Sequence, residues 1–223
     1  MAEPLVAVAA VITAAAALAA DQVAVAAGAV VVVVILAAAG RQAAGKASLY
    51  SMKLKSIVRF FKHLISNVWQ VRHHFSESAL HNIEKAIRSS EKSHNGEICF
   101  IVEAGLHPME IRYKKSPRKR AIELFSLFKI WDTEHNNGVL IYLLLADRDV
   151  EIVADRGIHQ HVGNAAWERI CHQMELMFRS GDFEAGVLQG IADIGALLET
   201  HFPHSASNDT KKVNELPNAP IIL

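Results

Sequence analysis

The sequence predicts a mixed α/β fold: a three-layer α/β/α sandwich around a small mixed β-sheet, preceded by an apolar N-terminal helical segment. Three observations carry that prediction. Segments of helical period alternate with short apolar runs. The run Val139 to Ala146 is apolar throughout, as a strand covered on both faces should be. Asp147-Arg148 then offers a tight turn into a second strand over 150–154, which implies an antiparallel hairpin.

The chain begins with an apolar leader, residues 1–51, that is almost wholly Ala, Val, Leu and Ile. Its only formal charges are Glu3, Asp21, Arg41 and Lys46, which cancel. A membrane span needs about 20 apolar residues, and Asp21 divides the run into pieces of 16 and 17. Several readings stay open: a membrane anchor, a buried Ala/Val helix, an expression leader or an upstream extension. No basic region precedes the run, which argues against a secretory signal. If the leader inserts, Arg41, Lys46, Lys53, Lys55, Arg59 and Lys62 follow it with no acid among them. That bias would hold the following domain on the cytoplasmic side. Met52-Lys53-Leu54-Lys55 also reads as a chain start, which would leave the domain in the cytoplasm.

Residues 52–75 are expected to form a basic amphipathic helix. Leu54, Ile57, Val58, Phe61, Leu64, Ile65 and Val68 recur at helical spacing, with Lys55, Arg59 and Lys62 off that stripe. Such a helix can lie on an anionic membrane surface or pack onto its own domain.

The globular region is expected over 76–202. Leu80, Ile83, Ala86 and Ile87 mark a helix over 76–92, ending near Asn95-Gly96. Glu97 to Val102 follows as a strand. Residues 104–115 read as a loop. Ser116-Pro117 supplies a capping hydroxyl and a proline for the first turn of a helix carried by Ile122, Leu124, Phe125 and Phe128. Strand, helix and strand in that order imply a parallel pair with a right-handed crossover. Two helices, about 165–179 and 183–201, close the domain. The tail 203–223 holds three of the six prolines and is expected to be extended or disordered.

Composition excludes several classes. Twenty-three basic and 23 acidic side chains leave no net charge, which argues against nucleic acid held by bulk charge. Two cysteines cannot build a disulfide framework or a four-cysteine zinc site. No P-loop, Cys-x5-Arg or G-x-S-x-G motif is present. Cys99 falls within a predicted strand and Cys171 within a helix, so both are expected to be inert.

Several scattered residues together resemble a known family. They are Glu91-x4-Gly96-Glu97-Ile98, Arg120-Ala121-x3-Phe125, Asn136-Asn137-Gly138-Val139-Leu140-Ile141, Asp147-Arg148 and Gly181-Asp182-Phe183. Over roughly 76–202 the chain resembles the TPM domain family of thylakoid-lumen phosphatase-like proteins. The resemblance implies the α/β/α sandwich. Some members resemble calcium-binding acid phosphatases; others are accessory factors for membrane proteins, and many are membrane-anchored. The chain departs from the family after the hairpin. Where many members have Gly-x-Gly-x-Glu it has Asp155-Arg156-Gly157-Ile158-His159, and Asn164 stands where Asp is frequent.

The loop acids define a candidate divalent-cation site of Asp132, Asn137, Asp147, Asp155 and His159. Hard cations want several oxygen ligands, so calcium is the first choice; His159 and His161 make zinc the second. Asp132 and Asp147 lie at opposite ends of an eight-residue strand, roughly 26 Å apart. Asp132 and Asp155 are the pair a hairpin would bring together. The alternative is that these acids only cap and turn the chain. Arg112, Lys114, Lys115, Arg118, Lys119 and Arg120, with Lys55, Arg59 and Lys62, are candidates for contact with an anion or membrane. The cluster at 112–120 crowds a helix N-terminus, where the dipole disfavours cations.

Two functions are therefore expected in competition. One is an accessory or interaction module with a membrane surface or membrane protein as partner. The other is a divalent-metal-dependent, acid-phosphatase-like hydrolase.

Overall fold

A computed structural model describes residues 57–204 and 214–223. The chain divides into two units, Met1–Ile65 and Ser66–Leu223. In the first, residues 57–65 are helical. The leader 1–51 and Lys55 lie outside the described residues. Among those described, no helix is long and apolar enough to cross a membrane.

The second unit opens with α1 (Val68–His74) and α2 (Glu77–Ser90), the latter capped by the Ser76 hydroxyl accepting from Ala79 N at 3.1 Å. Then come β1 (Glu97–Glu103), α3 (Pro108–Arg112), α4 (Pro117–Leu127), β2 (Gly138–Leu144) and β3 (Asp149–Ala154). Three helices follow, α5 (Arg156–Val162), α6 (Asn164–Ser180) and α7 (Phe183–His201), and β4 (Ile221–Ile222) ends the order. Ser116 caps α4 and Pro117 occupies its first turn, as the sequence predicts. Gly181, at φ 95°, ends α6 in the left-handed region that glycine favours.

The sheet has strand order β3-β2-β1-β4. The β1–β2 pair is parallel, with Cys99 opposite Leu140. The β2–β3 pair is antiparallel, with Leu140 opposite Val153. Every residue of β1 and β2 is buried, which is why those runs lack polar alternation. Ile98, Phe100, Val102, Val139, Ile141 and Leu143 share one core with Ile83 and Ile87 of α2, Met174 and Phe178 of α6, and Val187 and Ile191 of α7. Strand alternation sends Cys99, Ile101, Leu140 and Tyr142 to the other face. There α4 packs on β2 and β3, and Ala121 and Leu124 are buried. Each of the large apolar side chains in these layers contributes roughly 1.5–3 kcal/mol by leaving water.

Three elements differ from the sequence expectation. Residues 104–115 contain the single-turn helix α3, closed by a capping box between His107 and Glu110. Residues 156–162, given no element from sequence, form α5 with Asp155 as N-cap. Within the tail, Ile221 and Ile222 pair in parallel with Ile101 and Val102, adding a fourth strand. Such short segments carry too few residues for a period to show, and long-range contacts stabilise them.

Candidate functional site

The site begins at Gly138, where the chain enters β2. A Cβ there would collide with the Ile130 carbonyl oxygen, so only glycine lets the loop close this tightly. Asn136 takes φ 51°, a conformation its short polar side chain tolerates. Asp155 N donates to Gly138 O at 2.9 Å, holding the end of β3 beside the start of β2. The Gly157 Cα lies so close to the Asn136 carbonyl that a side chain there would clash. The loop over 132–138 and residues 155–157 are therefore neighbours.

Between them lies an open cleft of about 330 Å³ lined by Phe125, Trp131, Asn136, Ala154, Asp155 and Arg156, with Ser126 at its edge. Asp155 is only 8% exposed. One carboxylate oxygen accepts from Arg156 N at 2.6 Å. The other, Oδ2, is buried and has no hydrogen-bond partner. A buried carboxylate oxygen in that condition is costly unless a ligand meets it.

The other residues of the expected cation site are placed differently. Asp132 is exposed and does not line the cleft. Asn137 is 1% exposed, and its amide donates to Asn95 O at 3.0 Å, so it ties the β2 entrance to the turn before β1. Asp147 follows the opposite end of β2, about 23 Å of strand away. His159 is half-buried on α5, one turn beyond Asp155. Among the described residues, no group of three or more His, Cys, Asp or Glu is gathered to hold a metal ion. The structure brings Asp155 together with Asn136 and Trp131; the five expected ligands are not assembled.

At the other end of the sheet sits a charged network. Arg120 grips Glu103 through Nε at 2.9 Å and a terminal nitrogen at 2.8 Å. The Tyr142 hydroxyl donates to the same carboxylate at 2.6 Å. Lys115 bridges Glu110 at 2.6 Å and Glu123 at 2.5 Å. Arg118 pairs with Glu151 at 3.4 Å and donates to the Ile152 carbonyl on the outer edge of β3. Half of the basic cluster is thus committed to internal ion pairs. Arg112, Lys114 and Lys119 are the exposed remainder.

Known proteins place this architecture. A family model for the TPM domain matches residues 69–197. The chain belongs to the TPM domain family. The fold is similar to the NMR structure of the BA42 protein from the psychrophilic bacterium Bizionia argentinensis, at 29% identity and TM-score 0.58. That match covers 67% of this chain and 95% of that one. A second similar structure is the N-terminal domain of a P. gingivalis protein, at 20% identity and TM-score 0.47, covering 58% and 82%. No curated protein matches the chain.

Within this TPM domain the thiols are poor nucleophiles. Burial pushes both Cys99 and Cys171 up to about 12, leaving almost no thiolate near neutrality. The Tyr142 hydroxyl is raised above its ordinary range, first by burial and then by the Glu103 carboxylate beside it, so it stays a donor. One polar residue escaped sequence reasoning. His94 is fully buried, bridging Ser90 Oγ at 2.9 Å and the Gly96 carbonyl at 3.2 Å. Nothing in its spacing marks it, because its partners are set by how α2 ends. Facing solvent, Trp69 of α1 is 78% exposed, beside the half-exposed Val68 and the exposed Arg72.

Proposed function

We propose that this TPM domain acts as a recognition module at a membrane surface rather than through chemistry of its own. The observation that carries the reading is Trp69, a large amphipathic ring left 78% exposed at the start of the globular unit. Val68 and Arg72 lie beside it on α1, and the stretch before them carries Lys55, Arg59 and Lys62 with no acid. Indole rings settle at the headgroup level, and basic side chains near an anionic surface contribute about 1 kcal/mol each. Arg120 and Lys115 add nothing there, being held in ion pairs. With the leader inserted, the charge bias keeps the domain on the cytoplasmic side.

Co-sedimentation of the full chain with phosphatidylserine-containing vesicles tests this. Binding should exceed that to pure phosphatidylcholine, and Trp69→Ala should weaken it about tenfold, the worth of one buried ring. Equal recovery with both lipids, or no effect of Trp69→Ala and Arg72→Glu, would sink it.

A second reading is favoured by the unpartnered Asp155 oxygen: divalent-cation binding in the cleft, with phosphatase-like activity. Asp155 would hold the cation, with Asn136 beside it and His159 one turn on; water would have to supply other ligands. A bound cation would add positive charge for a phosphate group. Calcium, then zinc, titrated against amide NMR should shift residues 135–138 and 155–159, and Asp155→Asn should abolish the shift.

A further inference from the structure

The cleft between the 132–138 loop and residues 155–157 is lined by one acid and one base. Asp155 is 8% exposed, and its Oδ2 is buried with no hydrogen-bond partner. Arg156, the next residue, lines the same cleft from an exposed position. Trp131 and Phe125 add aromatic surface. We propose that this cleft binds a small zwitterion, with a primary ammonium on Asp155, a nearby phosphate on Arg156 and the short carbon spacer against Trp131 and Phe125.

Three features select that chemistry. The first is a missing donor. Asp155 Oδ1 already accepts from Arg156 N at 2.6 Å, so Oδ2 is the atom left for a ligand. A ligand N–H removes the cost of leaving it unmet, and an ammonium also matches its charge. The second is the aromatic lining. A hard divalent cation asks for several oxygen ligands, and Asp155 is the one acid that lines the cleft. An organic ammonium needs a single carboxylate and gains from an aromatic face. Trp131 is 49% exposed, which leaves ring surface for a ligand. The third is charge balance. Asp155 and Arg156 cancel, so a bare cation meets Arg156 as a repulsive neighbour and a bare anion meets Asp155. A ligand carrying both charges is matched at both. Asn136, exposed in the same lining, brings a side-chain amide beside the guanidinium. The three oxygens of a phosphate suit two such donor groups better than the two of a carboxylate.

The volume sets the spacing of the two charges. About 330 Å³ lies at the small end of ligand sites, which suits a few atoms rather than a nucleotide or a folded peptide. The chemistry is therefore that of a phosphorylated amino alcohol, either free or as the headgroup of a membrane lipid. The frame of the cleft is set before any ligand arrives. Gly138 and Gly157 permit the close approaches that hold the 132–138 loop against residues 155–157, and Asp155 N is bonded to Gly138 O at 2.9 Å. Little ordering of the main chain is left to oppose binding. Trp69 does not line this cleft, so a failure of the membrane reading leaves this site intact. The divalent-cation reading, by contrast, competes with it for Asp155.

Titration of the full chain with O-phosphoethanolamine in the presence of EDTA, followed by amide NMR, tests this. Saturable shifts should appear at residues 125–126, 131–136 and 154–156. Ethanolamine and ethyl phosphate, each carrying half of the charge pair, should bind at least about tenfold more weakly. Asp155→Asn should weaken binding about tenfold. Trp131→Ala and Arg156→Gln should each weaken it about threefold, and both should keep the thermal transition because these side chains are exposed. Trp69→Ala should leave the affinity unchanged, which separates this site from the membrane reading. Displacement of the probe by vesicles of phosphatidylethanolamine and phosphatidylcholine supports a lipid headgroup as the source; a probe that stays bound supports the free compound. Absence of a saturable shift, equal binding of the two half-charged analogues, or undiminished binding by folded Asp155→Asn and Trp131→Ala would overturn the proposal. Calcium that shifts the same amides where the probe does not would assign the cleft to a metal and overturn it as well.

Discussion

The Arg120 guanidinium meets the Glu103 carboxylate in a two-pronged contact of 2.9 and 2.8 Å, while Tyr142 donates to one of the same oxygens. Glu103 is 7% exposed, so this charge at the end of β1 depends on its partners. Arg120→Ala should cost about 3–5 kcal/mol, because it leaves a buried carboxylate uncompensated. Tyr142→Phe should cost only about 1–2 kcal/mol, since Arg120 still holds the charge. Urea unfolding of the two variants checks the ranking. Equal losses would mean that the carboxylate is better hydrated than the geometry implies.

Stability should fall at both extremes of pH through the Glu110–Lys115 pair. Burial opposes the charge of each, yet the hydrogen bond between them holds Glu110 below its ordinary value of 4.5 and Lys115 above 10.5. A depressed carboxyl contributes above its unfolded value and loses that contribution as pH falls through the folded one. A raised ammonium contributes below its unfolded value and loses it as pH rises through the folded one. The plateau therefore lies between about pH 5 and 10. Burial raises Glu151, which works the opposite way at the acid end, so Glu151→Gln should steepen the acid loss. Denaturant midpoints measured from acid to alkaline pH, with Lys115→Met flattening both shoulders, decide the matter.

Neither thiol should react while the domain is folded. With both values at about 12 against an ordinary 9.0, thiolate is about a thousandfold scarcer than for an unburied cysteine at neutral pH. Iodoacetamide labelling followed by mass spectrometry should therefore track unfolding in denaturant. Rapid modification of either thiol in native buffer would contradict this burial.

Gly138→Ala should destabilise the domain by about 2–3 kcal/mol, because its new methyl meets a backbone carbonyl that cannot swing aside. Gly163→Ala is the contrast. It has open space but φ 74° and ψ 168°, an extended positive-φ conformation open almost only to glycine, so backbone strain of about 1–3 kcal/mol alone opposes it. Thermal melts of both variants test whether crowding or conformation governs these glycines.

By itself the sequence determined the alternating α/β character, the family, the two buried strands and most helix starts. Those features rest on neighbours a few positions apart: the apolar run of β2, the hydroxyl of Ser116 followed by Pro117, and the periods of α2, α6 and α7. Only the tertiary structure decided which side chains meet. It turned Asp132 to solvent while burying most of Asp155 at the cleft, and drew Lys115 and Arg120 into partly buried ion pairs. It also made part of a proline-rich tail into a strand by joining Asn218 to Glu91 across 127 positions. Local periodicity records which face of an element is apolar, but the neighbours of a polar side chain are fixed by strand register and helix packing. No spacing along the chain encodes those.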